Sequence, residues 1–250
     1  MIVTTDHGKV RELRLNRPPV NAINPELVAA LHDAVTRAPE EGARALVLSG
    51  SPGRYSGGLD VPLLVDFDRP AMERLWEDFY RLLLALAASP IPIAAAITGH
   101  SPAGGAVLAT YCDYRIMAAG DFRIGYNEVA VGIPMPIAIL RCVARQVGPR
   151  QAERLCGGGL LVSPDEALRI GLVDELVPAD RVVERAIEWA EGIINLPPNA
   201  MSQTRKEARA DLVRLMEEGL ASEKELLVGN WFSEETQGML RAIVERMKKK

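Results

Sequence analysis

Apolar residues recur in the first half of the chain at two alternating spacings. Short apolar or alternating runs, which are typical of strands, occupy residues 2–5, 10–15, 45–48, 91–97 and 114–117. Apolar residues three or four positions apart, which are typical of helices, follow Asn24-Pro25 and fill 72–86 and 104–111. From residue 137 onwards, helical spacing dominates. Strands that alternate with helices predict an α/β fold.

Two glycine-rich turns each follow a predicted strand and lead into a predicted helix. The first is residues 55–60, with the sequence YSGGLD, and the second is residues 101–105, with the sequence SPAGG. Neither carries the Lys-Ser/Thr pair or the Gly-x-Gly-x-x-Gly spacing of nucleotide-binding loops. Backbone N–H groups at a helix start are free to bind a ligand, and glycine permits close approach. Side by side, the two turns would aim two N–H groups at one carbonyl oxygen, as in an oxyanion hole.

Residues 99–103, with the sequence GHSPA, come close to the Gly-x-Ser-x-Gly turn of serine hydrolases. Such an enzyme needs a histidine after its serine, but all three histidines of this chain precede Ser101. His100 is the immediate neighbour of Ser101, so its ring cannot easily turn onto that hydroxyl. We therefore expect no serine nucleophile at this turn.

Glu128 is the one acidic residue in the apolar stretch 124–134. An isolated glutamate is most often a surface residue, but apolar surroundings would raise the pKa of its carboxyl group. Such a group would suit a general base that works near neutral pH. Two other acids have structural interpretations. Asp60 precedes Val61-Pro62 and is typical of a helix cap, and Asp113 lies between a helix and a strand, where we expect structural hydrogen bonds.

The composition limits the partners and the compartment that we expect. Among 250 residues the net charge is −4, the pI is near 5.6 and no basic stripe occurs, so no nucleic-acid partner is expected. No apolar run is long enough to span a membrane. Residues 1–6 are typical of a strand rather than a targeting leader, which predicts a cytoplasmic protein. Three cysteines and three scattered histidines predict neither disulfides nor a metal site.

Several short motifs occur in order along almost the whole chain. They are NRP (16–18), NAIN (21–24), YSGGLD (55–60), AGG (103–105), CDYR (112–115), NE (127–128), GI (132–133) and GLVD (171–174). Each motif alone is weak evidence, whereas their order and spacing together are highly specific. In this arrangement the chain resembles the crotonase superfamily, also called the enoyl-CoA hydratase/isomerase family.

The resemblance implies a crotonase-like spiral of ββα repeats over residues 1–195. It also implies a C-terminal helical region over 196–250 that builds a homotrimer or homohexamer. The implied substrate is an acyl-CoA thioester, with no cofactor beyond the CoA that the substrate carries. By resemblance, the backbone N–H groups of Leu59 and Gly104 form an oxyanion hole and Glu128 is the catalytic base. The implied substrate-binding residues are Ala22, Ser56, Gly57, Gly58, Asp60, Gly105 and Asn127. Of these, Ala22 would lie near the adenine arm of CoA.

One position helps to distinguish the activities within this family. Its hydratases resemble one another in having two glutamates, and the first would lie six residues before Asp113, where this chain has Val107. The second matches Glu128, which the Δ3,Δ2-enoyl-CoA isomerases also keep. We therefore predict that Glu128 moves a proton from carbon 2 to carbon 4 of a 3-enoyl-CoA. The alternatives are a hydratase that uses Glu128 alone, another crotonase-type thioester reaction, and a non-catalytic CoA-binding protein.

Overall fold

Strands and helices alternate along the first part of the chain and give way to helices near its end. The structure, a computed structural model, describes residues 1–248. The strands in this range are β1 (Ile2–His7), β2 (Val10–Leu15), β3 (Ala45–Ser49), β4 (Gly53–Arg54), β5 (Ile93–Ile97), β6 (Gly99–Pro102), β7 (Tyr114–Ala118), β8 (Ile124–Gly125), β9 (Leu161–Val162) and β10 (Glu175–Val177). The helices in this range are α1 (Pro25–Arg37), α2 (Val61–Leu64), α3 (Arg69–Ala88), α4 (Gly104–Thr110), α5 (Ile137–Val147), α6 (Pro149–Ala152), α7 (Pro164–Arg169), α8 (Val182–Ile194), α9 (Pro198–Ala208), α10 (Ala210–Ser222), α11 (Lys224–Trp231) and α12 (Glu234–Lys248).

The large sheet has its strands in the order β1-β2-β3-β5-β7-β10. β1 and β2 form an antiparallel hairpin in which Ile2 lies opposite Leu15, and the other neighbours pair in parallel. β3 and β5 are buried along their full length. Because parallel strands covered on both faces consist of continuous apolar residues, they were visible in the sequence. The predicted strands are confirmed, with ends that differ by at most two residues.

The small sheet has four short strands in the order β4-β6-β8-β9. β4 lies so close to β6 that a Cβ on Gly99 would stand 2.1 Å from the carbonyl carbon of Gly53. The sequence does not reveal these strands, because two to four residues are too few to show a spacing. The pairs β3-β4, β5-β6 and β7-β8 each cross from the large sheet to the small one and then lead towards a helix. This pattern confirms the predicted spiral of ββα repeats.

Helix caps confirm two of the helix starts that the sequence predicted. The side chain of Asn24 accepts a hydrogen bond from the Leu27 N–H at 3.0 Å, and Pro25 is the first residue of α1. The side chain of Asp60 accepts from the Leu63 N–H at 3.3 Å and caps α2. Such caps satisfy N–H groups that a helix start leaves free. The first glycine turn therefore ends at a defined residue.

Helices cover the large sheet on both of its faces. On one face, α1 and α3 pack over the main core, which includes Leu31, Leu46 and Phe79. On the other face, α8 places Ala186 in a second core with Ala94 of β5. Small residues on both elements let helix and strand approach closely, and the buried apolar area stabilises the sheet by roughly 25 cal/mol per Å². The sheet is thus a packed base for the turns that leave its strands.

The helices α9 to α12 cover most of the C-terminal region predicted from residue 196. Residues 249 and 250 lie outside the described range. α10 and α11 pack against α3 and bury Met216 and Trp231. Along residues 1–248, no helix is both long enough and apolar enough to cross a membrane. The division near residue 195 and the role of this region in assembly stay predictions.

Asp113 connects the C-terminal region to the large sheet. Its carboxylate accepts the N–H of Ile93 at 2.8 Å, the Nε–H of Arg205 at 2.8 Å and a guanidinium N–H of Arg209 at 3.2 Å. Arg209 is buried, and its guanidinium also donates to the Tyr111 carbonyl at 2.6 Å. The structural role predicted for Asp113 is confirmed.

Replacing Asp113 with alanine is expected to lower the free energy of unfolding by about 3–5 kcal/mol. The substitution leaves two largely buried guanidinium groups without a counter-charge and the N–H of Ile93 without its carboxylate acceptor. Chemical denaturation followed by circular dichroism measures the loss. Asp33→Ala, which removes an exposed ion pair with Arg37, is the matched control and should cost less than about 1 kcal/mol. Equal losses in the two variants would contradict the anchoring role of Asp113.

Candidate active site

The two glycine turns lie side by side because β4 and β6, which precede them, are neighbours in the small sheet. A Cβ on Gly58 would stand 3.1 Å from the Cβ of Ala103 and 3.3 Å from the nitrogen of Gly104. A Cβ on Gly104 would stand 3.6 Å from the nitrogen of Leu59. The turns are therefore in van der Waals contact. Both this contact and a φ of +81° favour glycine at position 58.

The N–H groups of Leu59 and Gly104 are both available to a ligand. The N–H of Ile23 donates to the Gly58 carbonyl at 2.7 Å, and the Ile23 carbonyl accepts from the Asp60 N–H at 2.9 Å. Since successive backbone groups of an extended chain point in opposite directions, the N–H of Leu59 points away from Ile23. Within residues 1–248, neither the Leu59 N–H nor the Gly104 N–H donates to a protein acceptor. Two unpaired donors thus lie where the turns touch.

Ala103 has a strained backbone immediately before α4. Its φ is 47° and its ψ is −120°, a conformation that costs about 1–3 kcal/mol for a residue with a side chain. Its N–H donates to the Gly125 carbonyl at 2.8 Å, and its carbonyl accepts from the Val107 N–H at 2.9 Å. These bonds hold a sharp turn from β6 into α4. The turn places the N–H of Gly104 beside the first glycine turn.

A cavity of about 680 Å³, including its open mouth, begins at these two turns. Five predicted site residues line it, namely Gly57, Leu59, Gly104, Asn127 and Glu128. The rest of the lining is apolar and consists of Val61, Trp76, Phe79, Pro102, Ala103, Val107, Val131, Ile133, Pro136 and Ile139. Glu128 is the one group in the described part of this lining that titrates near neutral pH. An apolar cavity with a few convergent polar groups is typical of a small-molecule site.

Burial changes the acid strength of Glu128. Its Oε2 atom is buried and has no hydrogen-bond partner among the described residues. Removing a carboxylate from water disfavours its charged form, so burial raises the pKa of Glu128 from its ordinary value of 4.5 to about 7. The apolar sequence around Glu128 predicted a shift in this direction, which is confirmed. A carboxyl group with this pKa can both accept and return a proton near neutral pH.

The C-terminal helix α12 holds the segment that carries Glu128. A 3₁₀ turn at Val129–Val131 follows Glu128 and ends at Gly132, whose φ is +80°. The hydroxyl of Thr236 in α12 donates to the Gly132 carbonyl, across 104 positions in the chain. A Cβ on Gly132 would stand 3.1 Å from the Cβ of Met239, so α12 also packs closely here. No local pattern in the sequence predicts this contact, which fixes the turn behind Glu128.

Ser56 and Gly105 lie where the two glycine turns pack on each other, outside the described cavity lining. The hydroxyl of Ser56 is buried, donates to the Asn21 carbonyl at 2.8 Å and accepts from the Gly58 N–H at 3.3 Å. A Cβ on Gly105 would stand 2.7 Å from the Ser56 carbonyl oxygen, so glycine lets α4 begin against the first turn. Neither residue belongs to the described cavity lining. Direct contact of Ser56, Gly58 and Gly105 with a substrate stays a prediction.

Arg17 joins Ala22 and Asp60, which also lie outside the described lining. A guanidinium N–H of Arg17 donates to the Ala22 carbonyl at 3.1 Å, and another forms an ion pair with Asp60. These contacts tie the loop before α1 to the end of the first glycine turn. No local pattern in the sequence points to this role of Arg17, because Arg17 and Asp60 are 43 positions apart. Contact of Ala22 or Asp60 with CoA stays a prediction.

Ser101 and His100 are not arranged as a nucleophile and its base, and Ser101 is not part of the described cavity lining. The Oγ atom of Ser101 is buried, and a Cβ on Gly105 would stand only 2.9 Å from it. The Nδ1 atom of His100 accepts from the Arg123 N–H at 3.2 Å rather than facing Ser101. Residues 1–248 contain no group of three His, Cys, Asp or Glu side chains that could hold a metal ion. The three cysteines are buried free thiols.

Trp76 and Phe79 are lining residues whose position the sequence could not reveal. They lie three positions apart on α3, where both were assigned to the apolar face of a helix. An apolar face packs equally well against a core or a cavity, so spacing alone does not distinguish the two. Their place in the lining depends on how α3 is oriented by its packing against α1, α10 and α11.

Comparison with known proteins agrees with this geometry. Residues 5–250 match the protein family described as enoyl-CoA hydratase/isomerase. The mouse protein named enoyl-CoA delta isomerase 1, mitochondrial, is 30% identical over 257 residues, which cover 100% of this chain and 88% of the mouse protein. The Mycobacterium tuberculosis (strain H37Rv) protein named probable enoyl-CoA hydratase EchA17 is 31% identical over 77% of this chain and 74% of its own length.

A solved structure gives the same result in three dimensions. The crystal structure of human mitochondrial Δ3-Δ2-enoyl-CoA isomerase matches with a TM-score of 0.93 and 30% identity. The match covers 99% of this chain and 98% of the human chain. Motifs, fold and full-length similarity agree, and the chain belongs to the enoyl-CoA hydratase/isomerase family.

Proposed function

We propose that this protein is an enoyl-CoA isomerase that shifts a double bond from carbon 3 to carbon 2 of its substrate. The observation that carries the proposal is the unpartnered Oε2 atom of Glu128, in a cavity that also contains Leu59 and Gly104 with their free N–H groups. One base and two backbone donors are the groups that an allylic proton transfer on a thioester needs. Full-length similarity to the mouse and human isomerases supports the proposal.

The thioester oxygen would bind between the N–H groups of Leu59 and Gly104. Loss of a proton from carbon 2 moves negative charge onto this oxygen and forms a dienolate. Donors aimed at the oxygen therefore stabilise the transition state more than the substrate. Each donor of this kind contributes roughly 3 kcal/mol. Close packing of Gly58 on Ala103 already holds both turns in place, so little reorganisation is needed as charge develops.

Glu128 would carry the proton between the two carbons. Its carboxylate takes a proton from carbon 2, and the electron pair of the broken C–H bond enters the dienolate. The protonated carboxyl group then returns the proton at carbon 4, which leaves the conjugated 2-enoyl thioester. One base suffices because both carbons lie on the same face of the acyl chain. The reaction needs no cofactor beyond the CoA of the substrate.

Asn127 is the further substrate contact that its surroundings support best. It lines the cavity beside Glu128, and its Oδ1 atom is buried without a hydrogen-bond partner among the described residues. A buried carbonyl oxygen without a partner is costly, so a donor from the bound substrate would stabilise the complex. Gly57, whose N–H donates to the Val20 carbonyl at 2.7 Å, would contribute close approach to the thioester.

Val107 favours isomerisation over hydration. It lies in the cavity lining at the position where the resemblance to hydratases puts the first of their two glutamates, and it is buried. An apolar side chain there cannot orient a water molecule for addition to the double bond. Similarity to the mycobacterial protein named a probable hydratase makes hydration by Glu128 alone the second candidate.

Assembly and compartment are separate proposals. We propose a homotrimer or homohexamer built by the region from residue 196, which sedimentation at equilibrium would test. A cytoplasmic location is likewise proposed from the sequence, although the mammalian relatives are named as mitochondrial proteins. Neither nucleic acid nor a membrane is proposed as a partner, given the net charge of −4.

A paired assay tests the proposed function. Purified protein is given trans-3-hexenoyl-CoA in one cuvette and crotonyl-CoA in another, and absorbance of the conjugated thioester is followed. We expect a rise with the first substrate and no loss with the second. Loss of crotonyl-CoA absorbance with an intact thioester would instead establish a hydratase. If absorbance changes with neither substrate but the protein binds CoA esters tightly, it is a non-catalytic CoA-binding protein.

The pH dependence of isomerisation should report the pKa of Glu128. Only the ionised carboxylate of the free enzyme can take a proton from carbon 2, so kcat/KM is expected to rise about tenfold per pH unit below pH 6. The rise should level off above a pKa of about 7. Initial rates between pH 5 and pH 9 measure this profile. A flat profile between pH 5 and pH 7 would exclude Glu128 as the titrating base.

A further inference from the structure

Trp76 lies between the candidate active-site cavity and a second cavity. The first cavity contains Glu128 and the two backbone donors. The second has about 440 Å³ including its mouth and lies between α3, α10 and α11. Its lining includes Tyr80, Gly219 and Leu227, together with the ion-paired Glu77 and Lys224. Trp76 is the one residue that belongs to both described linings.

The indole of Trp76 is held in place between the two cavities by its packing. The residue is only 4% exposed, and its ring packs edge to face on Phe79 with the ring centroids 6.4 Å apart. α3, which carries both rings, packs against α10 and α11. On the far side of the indole, the second cavity is bordered by the ion pair of Glu77 with Lys224, whose side chains are partly exposed.

The position of the substrate's thioester follows from the proposed function, on which this inference rests. With the thioester between Leu59 and Gly104, the remaining, apolar lining offers the acyl chain a surface on which to bury its methylene groups. We propose that Trp76 determines substrate specificity by closing the acyl pocket, so that the enzyme takes acyl chains short enough to end at the indole.

Chain-length dependence gives this proposal a measurable form. Each methylene that becomes buried raises affinity by roughly fourfold. Affinity should therefore increase with each added carbon until the chain reaches Trp76, and then stop increasing or fall. We expect this limit between hexanoyl-CoA and dodecanoyl-CoA. Removal of the indole would join the two cavities, and longer chains would then continue to gain affinity.

The test measures the dissociation constants of saturated hexanoyl-, octanoyl-, decanoyl- and dodecanoyl-CoA by isothermal titration calorimetry. The variants Trp76→Ala and Trp76→Leu remove the indole between the two cavities, whereas Trp76→Phe keeps an aromatic ring at the same place. Trp231→Leu removes an equally buried indole that lines neither cavity and serves as the control for lost core packing.

We expect the ratio of dodecanoyl-CoA to hexanoyl-CoA affinity to rise at least tenfold in the Leu and Ala variants relative to the wild type. Trp76→Phe and Trp231→Leu should keep the wild-type ratio within about threefold. An unchanged ratio in Trp76→Leu, confirmed as folded by its thermal transition, would overturn the proposal. So would a wild-type affinity that still increases up to dodecanoyl-CoA.

Binding of saturated esters separates this inference from the proposed reaction. If the wild type binds acyl-CoA with a sharp chain-length limit but isomerises nothing, the proposed function fails while the role of Trp76 stands. If it isomerises 3-enoyl-CoA substrates of every length equally well, the proposed function stands and the role of Trp76 fails.

Discussion

Glu128→Gln is expected to lower kcat for the shift from 3-enoyl-CoA to 2-enoyl-CoA by roughly 10²- to 10⁴-fold. Glutamine has almost the same shape as glutamate but cannot accept the proton of carbon 2. Glu128 is the one group in the described cavity lining whose pKa lies near neutral pH, so no neighbouring group there can replace it as the base. Stopped assays with trans-3-hexenoyl-CoA measure the loss, and the dissociation constant of hexanoyl-CoA should change less than about threefold.

The same substitution should stabilise the protein at alkaline pH. The folded chain keeps the Glu128 proton up to a pH of about 7, whereas an ordinary glutamate in the unfolded chain loses it near 4.5. The unfolded state therefore binds fewer protons between these values, and wild-type stability falls as the pH rises through this window. Glu128→Gln lacks that fall. Above pH 7 it should be more stable than the wild type, by at most about 3 kcal/mol.

Thermal melting at pH 4 and pH 8 compares the two proteins, with Glu191→Gln as the control. Glu191 is exposed on α8, so its substitution should change neither activity nor the pH dependence of stability. Residual isomerase activity of Glu128→Gln within tenfold of the wild type would show that another group moves the proton. A stability gain that is equal at pH 4 and pH 8 would contradict the raised pKa.

Gly58→Ala is expected to lower kcat by roughly 10- to 100-fold through displacement of the oxyanion donors. The new Cβ would stand 3.1 Å from the Cβ of Ala103 and 3.3 Å from the nitrogen of Gly104, so the second turn must shift by a few tenths of an ångström. This shift changes the separation of the Leu59 and Gly104 N–H groups. Because the charge on the thioester oxygen develops in the transition state, kcat should fall more than affinity for hexanoyl-CoA.

Gly171→Ala is the matched control for backbone strain. Gly171 has a φ of +77°, close to the +81° of Gly58, but a Cβ there would meet nothing within 4 Å. Both substitutions should cost about 1 kcal/mol of stability from the unfavourable φ alone. Only Gly58→Ala should lose activity. Equal kinetics in the two variants would show that contact between the turns does not matter for the reaction.

Local sequence patterns predicted the large sheet and the first helices well, for a physical reason. β3 and β5 are five-residue buried strands whose apolar runs are continuous, and Asn24-Pro25 caps α1 with its own side chain. Each of these signals lies within a few residues of the element that it forms. The two-residue strands β4 and β8 have no such pattern, because their stability comes from neighbours 23 to 46 positions away.

The sequence by itself determined the chemical inventory of the candidate site. Two glycine turns, one carboxyl group in an apolar stretch and Val107 in place of a second acid are all local facts, and the resemblance to one family depends on them. Only the tertiary structure decided how these groups meet. Packing between residues distant in the chain decides three features of the site. It leaves the N–H of Leu59 without a protein acceptor, it brings the hydroxyl of Thr236 to the Gly132 carbonyl, and it places the indole of Trp76 between two cavities. Such packing is a property of the whole fold, so no single segment of sequence encodes it.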